Sequence, residues 1–535
     1  MTIFGLISLL SFFLVVSVSS IQDRSITIDE PHHFDYGLRL LYGNPDRVKK
    51  VDDSKMPFSA ANAIPAILAG QIPHERIKSF LNEFNTARYV TILFSLFIAG
   101  IVFYWSYLLY GAIPAFASLT LYVFDPNIIA HSQLVTTDIY AMGTILLTFY
   151  CLWRFANHRS LGNGLLCAFV IGISCLAKYT SVVLFPLCFL ALFIHDIPEI
   201  VMSTRRDMVM TIRHYIVIYF QYLLTALIII VVVINIGFLF DRSFVHFGDY
   251  EFRSDMLKSV QQDYPVLGRI PVPVPYPYLD GLDWVMHNER TSASFGNVYL
   301  LGEVKQEGGF PGYFFIASLF KTPIAIQIIL FLTFAIYLYD KNRRRHFISK
   351  ELFLLVPVLF YSIYFNFFYY AQIGIRHYLV IFPLLYVFVG SLFPKWPNFS
   401  SLQKGMVWGL LMYLVISVLS YYPYYLTYFN ELVWDKTQTY KYLADSNIDW
   451  GQSKIELAEY LIQNPDAVTS VERPAPVHLI ININKVVGVT SSPQRYKWLR
   501  ENFEPIDTLA NNLLIYKISP EQIQTLCENS PEYCR

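Results

Sequence analysis

An apolar run, IFGLISLLSFFLVVSVS, occupies residues 3–19, and the polar stretch SIQDRSITIDEPHH follows it over residues 20–33. The run is close to the minimum of about 17 residues that a membrane-spanning helix needs. Two adjacent carboxylates, Asp29 and Glu30, therefore lie just beyond a predicted membrane boundary. Carboxylates are costly to bury there without partners. The pair indicates either a helix start, with Asp29 as the N-cap before Pro31, or a catalytic base at the bilayer face.

Similar apolar runs recur along the chain. Of its 535 residues, 55% are hydrophobic and only 15% are charged, whereas a soluble protein carries roughly 25% charged residues. The fold class is therefore a polytopic α-helical membrane protein. Windowed hydropathy predicts about eleven spans, near residues 3–19, 89–110, 112–124, 138–156, 161–177, 180–195, 214–240, 312–339, 351–371, 376–393 and 405–422.

Basic residues set the predicted orientation. They cluster at residues 154–159, 205–213 and 341–345, and these clusters fall on one side when the N-terminus is inside, as the positive-inside rule requires. The loops at about 20–88 and 241–311 then lie outside, as does the tail from residue 423. The first run could instead be a cleaved signal peptide, but it lacks a basic n-region, which favours a retained helix. We expect a multi-pass protein of the plasma (inner) membrane.

The chain divides into a transmembrane domain, residues 1–422, and an extracytoplasmic tail, residues 423–535. The tail predicts a small α/β domain, with an amphipathic helix at 451–462 and strands at 477–484 and 513–518. Cys527 and Cys534 lie in this oxidising compartment and predict a disulfide, with two free thiols as the alternative.

Overall charge excludes one class of partner. Lys plus Arg number 40 and Asp plus Glu number 40, so the formal net charge is +0, and no basic field favours nucleic acid. The sequence also contains no metal-binding motif of the HExxH or CxxC type.

Several polar residues fall at the predicted external face. Arg88 enters the second span, where it either snorkels to the interface or binds phosphate. Lys321 lies inside a span and needs an anionic partner unless it snorkels too; Arg376 and His377 open a later span from the same face. His131 and Asp138 add titratable groups there, although residues 136–138 could simply cap the next helix.

These residues carry a family resemblance. The chain resembles the polyprenyl-phosphate-sugar-dependent membrane glycosyltransferases of the GT-C architecture, and within them the protein O-mannosyltransferase-like and aminoarabinose-transferase-like enzymes. The matching elements cover most of the chain, and the Asp445-Ser-Asn-Ile-Asp-Trp-Gly-Gln452 block is the most specific of them. The others are Asp29-Glu30, Lys55-Met-Pro-Phe58, Arg88, Pro126–Ser132, Thr137-Asp138, Lys178-Tyr179, Gly296–Glu303, Lys321-Thr-Pro323, Ile373–His377 and Tyr428-Phe-Asn-Glu431.

The resemblance implies transfer of a sugar, such as the hexose mannose, from a polyprenyl-phosphate donor to an acceptor hydroxyl. It implies Asp29 as the base, with inversion at the anomeric carbon. Glu30 would orient the acceptor or share the role of the base, and Asp138 would lie near the base. The residues expected to bind the donor phosphate are Lys55, Arg88, Lys321 and Arg376, and those expected to contact the acceptor or sugar are His131, Glu303 and His377.

Partners and alternatives follow from this. We expect no obligatory cofactor, because a lipid monophosphate donor does not require a metal, although a divalent metal is not excluded. The expected partners are membrane lipid, the lipid-linked sugar and an acceptor protein, lipid or glycan, with a homodimer or heterodimer left open. The alternatives are a ligase or polymerase using a lipid-diphosphate donor, a transporter or flippase, and a structural subunit with a degenerate site. The absence of an internal repeat disfavours the transporter.

Overall fold

A computed structural model describes residues 2–22, 24–204, 208–291, 296–394 and 396–534. Arg205 and Arg206, which belong to one predicted basic cluster, lie outside the described residues.

Helices dominate the chain up to Leu419. A short hairpin of β1 (Val298–Leu300) and β2 (Glu303–Lys305) interrupts them. The helices are α1 (Thr2–Ser19), α2 (Glu30–Leu41), α3 (Ala60–Ala69), α4 (Glu75–Asn82), α5 (Phe84–Tyr110), α6 (Ala112–Val123), α7 (Pro126–Ser132), α8 (Asp138–Asn157), α9 (Leu161–Ala177), α10 (Leu184–Thr204), α11 (Met208–Gly237), α12 (Asp255–Asp263), α13 (Tyr276–Thr291), α14 (Tyr313–Lys321), α15 (Ile324–Tyr339), α16 (Lys341–Arg344), α17 (Leu352–Phe367), α18 (Phe382–Val389) and α19 (Ser401–Leu419).

Within the described residues, 6 helices are long and apolar enough to cross a membrane, or up to 8 if each of two bent pairs counts as one span. The predicted spans near 3–19, 161–177 and 351–371 correspond to α1, α9 and α17, whose apolar stretches are shorter. Several apolar spans are therefore present, while the number of about eleven is not confirmed. The 6 are Phe84–Tyr110, Asp138–Asn157, Tyr179–Met202, Val209–Gly237, Ile375–Leu392 and Ser401–Leu419.

The two bent pairs explain part of the difference. Helices α6 and α7 meet at 62°, and α14 and α15 meet at 118°. The second break falls at Thr322-Pro323, where proline cannot continue the hydrogen-bond ladder. The side-chain amides of Asn430 and Gln327 both donate to the freed carbonyls of Leu319 and Thr322, at 2.6–2.9 Å. The broken backbone is thus satisfied by protein, as membrane depth requires.

Two of the predicted basic clusters lie at the same end of the helices. The Trp153 indole donates to the Ser349 carbonyl at 2.9 Å, which joins the end of α8 to the segment after α16. Arg159 pairs with Asp196 at 2.7 Å and ties the α8–α9 turn to α10. This arrangement fits the charge asymmetry from which the orientation was predicted.

The tail contains a four-stranded sheet in the order β3-β4-β6-β5. β3 is parallel to β4, and the other pairs are antiparallel. Alternate residues of β4 face opposite sides: Ile480 packs towards α20, while Leu479 and Ile481 join the large core shared with the membrane helices. The elements are β3 (Ala467–Val468), β4 (Val477–Asn482), β5 (Asp507–Leu509), β6 (Leu513–Ile518), α20 (Lys454–Gln463), α21 (Ile483–Val486), α22 (Lys497–Asn502) and α23 (Pro520–Asn529).

Candidate active site

A cavity of about 830 Å³ lies where the segments that connect the apolar helices meet the ends of those helices. Its lining comes from widely separated parts of the chain: residues 29–33, 50–55, 137–138, 178–180, 253, 284–289 and 369–377. Five of the residues proposed from the sequence contribute to the wall, namely Asp29, Lys55, Asp138, Arg376 and His377.

Asp29 occupies the N-cap position of α2, yet its side chain makes no capping hydrogen bond. Its carboxylate instead lies 3.9 Å from Lys55 Nζ and 3.7 Å from Arg376 Nη1, and the side chain is 30% exposed. Burial alone would raise the pKa of Asp29, but Lys55 and Arg376 together outweigh burial and hold the pKa below its usual range. Asp29 is thus an ionised, accessible carboxylate.

Lys55 is positioned by its own loop. Arg47 donates to the backbone carbonyl of Lys55 at 2.9 Å and to the Tyr179 hydroxyl at 2.7 Å, which fixes the loop against the segment after α9. Burial lowers the pKa of Lys55, and the carboxylate of Asp29 opposes that effect. The Asp29 carboxylate therefore helps to keep the Lys55 ammonium charged.

Arg376 is positioned by the tail. Its guanidinium stacks over the Trp450 ring, 4.0 Å from the centroid. The preceding Gly374 has φ 141°, and a Cβ there would stand 2.3 Å from Ser446 Oγ. Only glycine allows the two segments to approach this closely. The block Asp445–Gln452, which contains Trp450, therefore has a structural role, which is to hold Arg376 at the cavity.

Asp138 connects the remaining charges. It lies 3.0 Å from Lys178 Nζ and 3.6 Å from Arg376 Nη1. Lys178 also contacts His377 Nδ1 at 3.0 Å. We call Asp29, Lys55, Asp138, Lys178 and Arg376 the inner cluster. Its three cations exceed its two carboxylates by one positive charge.

Glu30 and Arg88 lie elsewhere. Arg88 pairs with Glu30 at 2.7 Å, and their side chains are 1% and 0% exposed. The Glu30 carboxylate also accepts from the backbone N–H groups of Thr27 and Val135, at 2.8 and 3.0 Å. Neither residue is part of the cavity lining. This pair ties α2 to α5 and contributes no free charge.

Three other sequence candidates are also outside the cavity lining. Lys321 is buried, and its ammonium donates to the carbonyls of Leu426 and Asn447 at 2.8 and 2.6 Å. The His131 ring is buried, 6.1 Å from the Trp450 ring. Glu303 is exposed on β2.

Two further sequence predictions concern a disulfide in the tail and the binding of a metal ion. Cys527 and Cys534 form a disulfide with a Cα–Cα distance of 5.6 Å. Over the described ranges, no group of three or more His, Cys, Asp or Glu side chains is arranged to hold a metal ion.

Sequence reasoning assigned no role to Lys178, Glu289 or Trp450. Lys178 follows the apolar helix α9 directly, so the argument applied to Lys321 could have identified it. Glu289 lies on α13, within the segment that was predicted as the loop at about 241–311. That segment has no recognisable motif at Glu289, so no sequence signal distinguishes the residue. Trp450 belongs to the quoted block, but its stacking on Arg376 joins residues far apart in the chain.

Comparison with known proteins gives one family match. Residues 77–236 match the family described as dolichyl-phosphate-mannose-protein mannosyltransferase. This segment includes Arg88, His131, Asp138 and Lys178. No curated protein matches the chain.

Solved structures give similarities at low identity. ArnT from Cupriavidus metallidurans bound to undecaprenyl phosphate has a TM-score of 0.48 at 13% identity, over 77% of this chain and 63% of that chain. The apo oligosaccharyltransferase of Archaeoglobus fulgidus has a TM-score of 0.43 at 14% identity, over 78% of this chain and 55% of that chain. The chain thus spans less than two thirds of the length of either protein.

Proposed function

We propose that this protein is a membrane glycosyltransferase that moves a sugar from a polyprenyl-phosphate donor to an acceptor hydroxyl in the cavity. The family match of residues 77–236 supports transfer from a lipid-linked sugar. The proposed sugar is a neutral hexose such as mannose, the sugar in that family's description. The acceptor is a hydroxyl on a protein, lipid or glycan at the extracytoplasmic face.

One observation carries the proposal: Asp29 is an ionised carboxylate, 30% exposed in a cavity that also holds Lys55 and Arg376. A general base must be ionised and within reach of the acceptor proton. A departing phosphate needs cations beside it. Asp29 supplies the carboxylate, and Lys55 and Arg376 supply the cations, each within 4 Å of that carboxylate.

The charge of the inner cluster favours a monophosphate donor. A polyprenyl-phosphate sugar is a phosphodiester with one negative charge, which balances the surplus of one cation. A diphosphate-linked sugar would bring a second negative charge beside Asp29 and Asp138, and like charges at this range are unfavourable. Arg88 and Lys321 already have buried protein partners, so we assign the phosphate to Lys55 and Arg376, with Lys178 beside them.

The reaction then follows in one displacement. Asp29 accepts the proton of the acceptor hydroxyl while that oxygen attacks the anomeric carbon. The bond from that carbon to the phosphate oxygen breaks on the opposite face, and its electron pair leaves with polyprenyl phosphate. Lys55 and Arg376 stabilise the charge on the leaving oxygen. Asp138 positions Lys178 and Arg376, and the product has inverted configuration.

The test is transfer by purified protein supplied with a panel of polyprenyl-phosphate sugars and a membrane extract as acceptor. Wild type should release polyprenyl phosphate and label the acceptor, and Asp29→Asn should not. The matched control is Asp35→Asn, the same change at an exposed position of α2, which should behave as wild type. Release of a polyprenyl diphosphate from diphosphate donors alone would instead support the ligase alternative, and full activity of Asp29→Asn would reject Asp29 as the base.

A further inference from the structure

The segment between α11 and α13, residues 239–275, exposes several large apolar side chains. Single exposed apolar residues are common on protein surfaces, whereas a group of them on one segment indicates a binding partner. We call six of these residues the apolar rim. Their exposed fractions run from 36% to 80%, and they are Leu239, Phe240, Phe244, Val266, Leu267 and Ile270.

Backbone hydrogen bonds join the two halves of this segment. Phe244 N donates to the Val272 carbonyl at 2.9 Å, and Val272 N donates to the Val245 carbonyl at 2.9 Å. Phe247 N donates to the Ile270 carbonyl at 3.0 Å. The apolar rim residues of both halves therefore belong to one folded unit.

Asn235 fixes this unit at the level of the bilayer. It lies within the apolar span Val209–Gly237, where a side-chain amide needs protein partners. The amide donates to the Pro273 carbonyl at 2.8 Å, and its oxygen accepts from the Ser243 hydroxyl. Phe244 follows directly in the chain. The unit thus folds back to the depth of the last turn of α11.

The backbone at this fold-back is strained. Residues with a Cβ rarely adopt the left-handed region, and a run of them persists only where surrounding contacts hold it. One such contact is the hydrogen bond from Phe240 N to the Asn235 carbonyl at 2.8 Å. Strain of this kind is concentrated at functional segments. The φ values are 54°, 56°, 46° and 67° at Leu239, Phe240, Arg242 and Phe244.

The position of the apolar rim favours lipid as the partner. Only 11% of the apolar window of α11 is buried, so this helix faces lipid along most of its length, and the apolar rim continues directly from its end. Residues 239–275 contain five acidic and four basic residues, so net charge supplies no attraction to an anionic partner. Apolar contact is the attraction that remains.

We propose that residues 239–275 form an interfacial membrane anchor, in which the apolar rim inserts into the leaflet at the cavity end of the helices. Gly237 at the end of α11 packs on Leu176, two residues before Lys178 of the inner cluster, which places the anchor at that end. The anchor is independent of the proposed function.

The anchor also carries part of the cavity wall. Arg253 belongs to the same segment, lines the cavity and lies 3.8 Å from Asp53, on the segment that carries Lys55. Ser254 N donates to the Asp283 carboxylate of α13 at 3.0 Å. Insertion of the apolar rim therefore holds one wall of the cavity at the bilayer surface.

Depth-dependent quenching tests the anchor in bilayers. A cysteine is introduced at Phe244 or Ile270 and labelled with a fluorophore, and the full chain is placed in phosphatidylcholine nanodiscs that contain lipids with nitroxides at defined depths. Both labels should be quenched most by nitroxides about 5–10 Å below the headgroup boundary, and little by iodide in the water. Added phosphatidylglycerol should not change the result, because the segment has no surplus of basic residues. Wild type, whose four free cysteines are buried, gives the labelling background.

Two positions of matched exposure calibrate the measurement. Phe220 on α11 is 61% exposed and Ile506 in the tail is 57% exposed, against 60% for Phe244. Phe220→Cys should respond to the deepest nitroxides, and Ile506→Cys to iodide alone. Thermal unfolding of each labelled variant checks that the fold is retained. The inference is overturned if the label at Phe244 or Ile270 behaves as the label at Ile506 does, or if it is shielded from both quenchers as at a protein contact.

Discussion

Asp29 and Glu30 are neighbours in sequence and opposites in environment. Glu30 is fully buried and bound to Arg88 at 2.7 Å, with backbone donors completing its hydrogen bonds. Asp29 is partly exposed and lies 3.7–3.9 Å from its two cations. The hydrogen-bonding capacity of the Glu30 carboxylate is therefore used by protein groups, whereas the Asp29 carboxylate has room for a ligand.

Helix geometry separates the two side chains. Successive residues of an α-helix point about 100° apart, and α2 begins at Glu30. One side chain therefore faces α5 and the other faces the cavity. Two adjacent acids in a sequence can thus serve stability and chemistry separately, which the following predictions test.

The largest effect is expected at Asp29. Asp29→Asn removes the proposed base and should lower kcat by about 10²–10⁴-fold, while the protein remains folded in the membrane. Sugar transfer is the measurement, with thermal unfolding in detergent as the check on folding. A variant that turns over at the wild-type rate contradicts the assignment.

Glu30 should show the reverse pattern. Glu30→Gln leaves Arg88 as an uncompensated buried charge and should cost about 3–5 kcal/mol of unfolding free energy. The folded fraction should retain the wild-type kcat. The double variant Glu30→Leu with Arg88→Met should recover part of the lost stability, since it leaves no unpaired charge. Loss of kcat with unaltered stability would place Glu30 in the chemistry.

Lys55 should affect the donor more than the fold. Lys55→Met keeps the aliphatic length and removes the charge, so kcat/KM for the lipid-linked donor should fall by about 10–100-fold. Lys78→Met, on the neighbouring helix α4 with a half-exposed side chain, is the matched control. Donor kinetics equal to those of the control would remove Lys55 from the phosphate site.

The smallest expected effect is a pH dependence. Burial raises the pKa of Glu289 to about 7, although the Tyr364 hydrogen bond and Lys178 oppose it; Tyr369 also faces the group. Above about pH 7 the carboxyl is ionised, and its negative charge favours the charged ammonium of Lys178, which we place beside the donor phosphate, so transfer should rise between about pH 6 and 8. Glu289→Gln should abolish this rise.

A second carboxyl provides the control for that measurement. Burial also raises the pKa of Asp445 to about 7. Asp445→Asn should leave the pH-dependent rise in place. Asp29, whose pKa is lowered, should titrate below this range. If the rise persists in Glu289→Gln and disappears in Asp445→Asn, the titrating group is Asp445 and not Glu289.

Local sequence signals predicted much of the fold. The strands predicted at 477–484 and 513–518 are β4 and β6, because alternation and β-branched residues are local properties. The helix predicted at 451–462 is α20, Lys454–Gln463. Composition likewise indicated the apolar spans. The bend of 118° between α14 and α15 was not predicted, because hydropathy averages across Pro323.

The placement of buried cations depends on contacts that hydropathy does not contain. Lys321 needed a partner, as the sequence indicated, but the partners are two backbone carbonyls from remote segments. Arg88 also needed an anionic partner, and that partner is Glu30. Asp29 and Lys55, which the sequence proposed separately as base and phosphate ligand, both line one cavity, and their catalytic roles stay predictions. Only the three-dimensional packing shows that Glu289 belongs to the cavity wall.

The stacking of Trp450 under Arg376 has a consequence for biosynthesis. Trp450 also accepts a hydrogen bond from Ile28 N at 3.1 Å, and Ser25 accepts one from Ile455 N at 3.0 Å. Segments about 425 residues apart in translation order are therefore needed to complete one wall. A ribosome-bound chain already contains Asp29 long before Trp450 is made. Under the proposed function, the nascent protein would therefore be inactive during membrane insertion, and sugar transfer would begin only after the tail has docked against the helices.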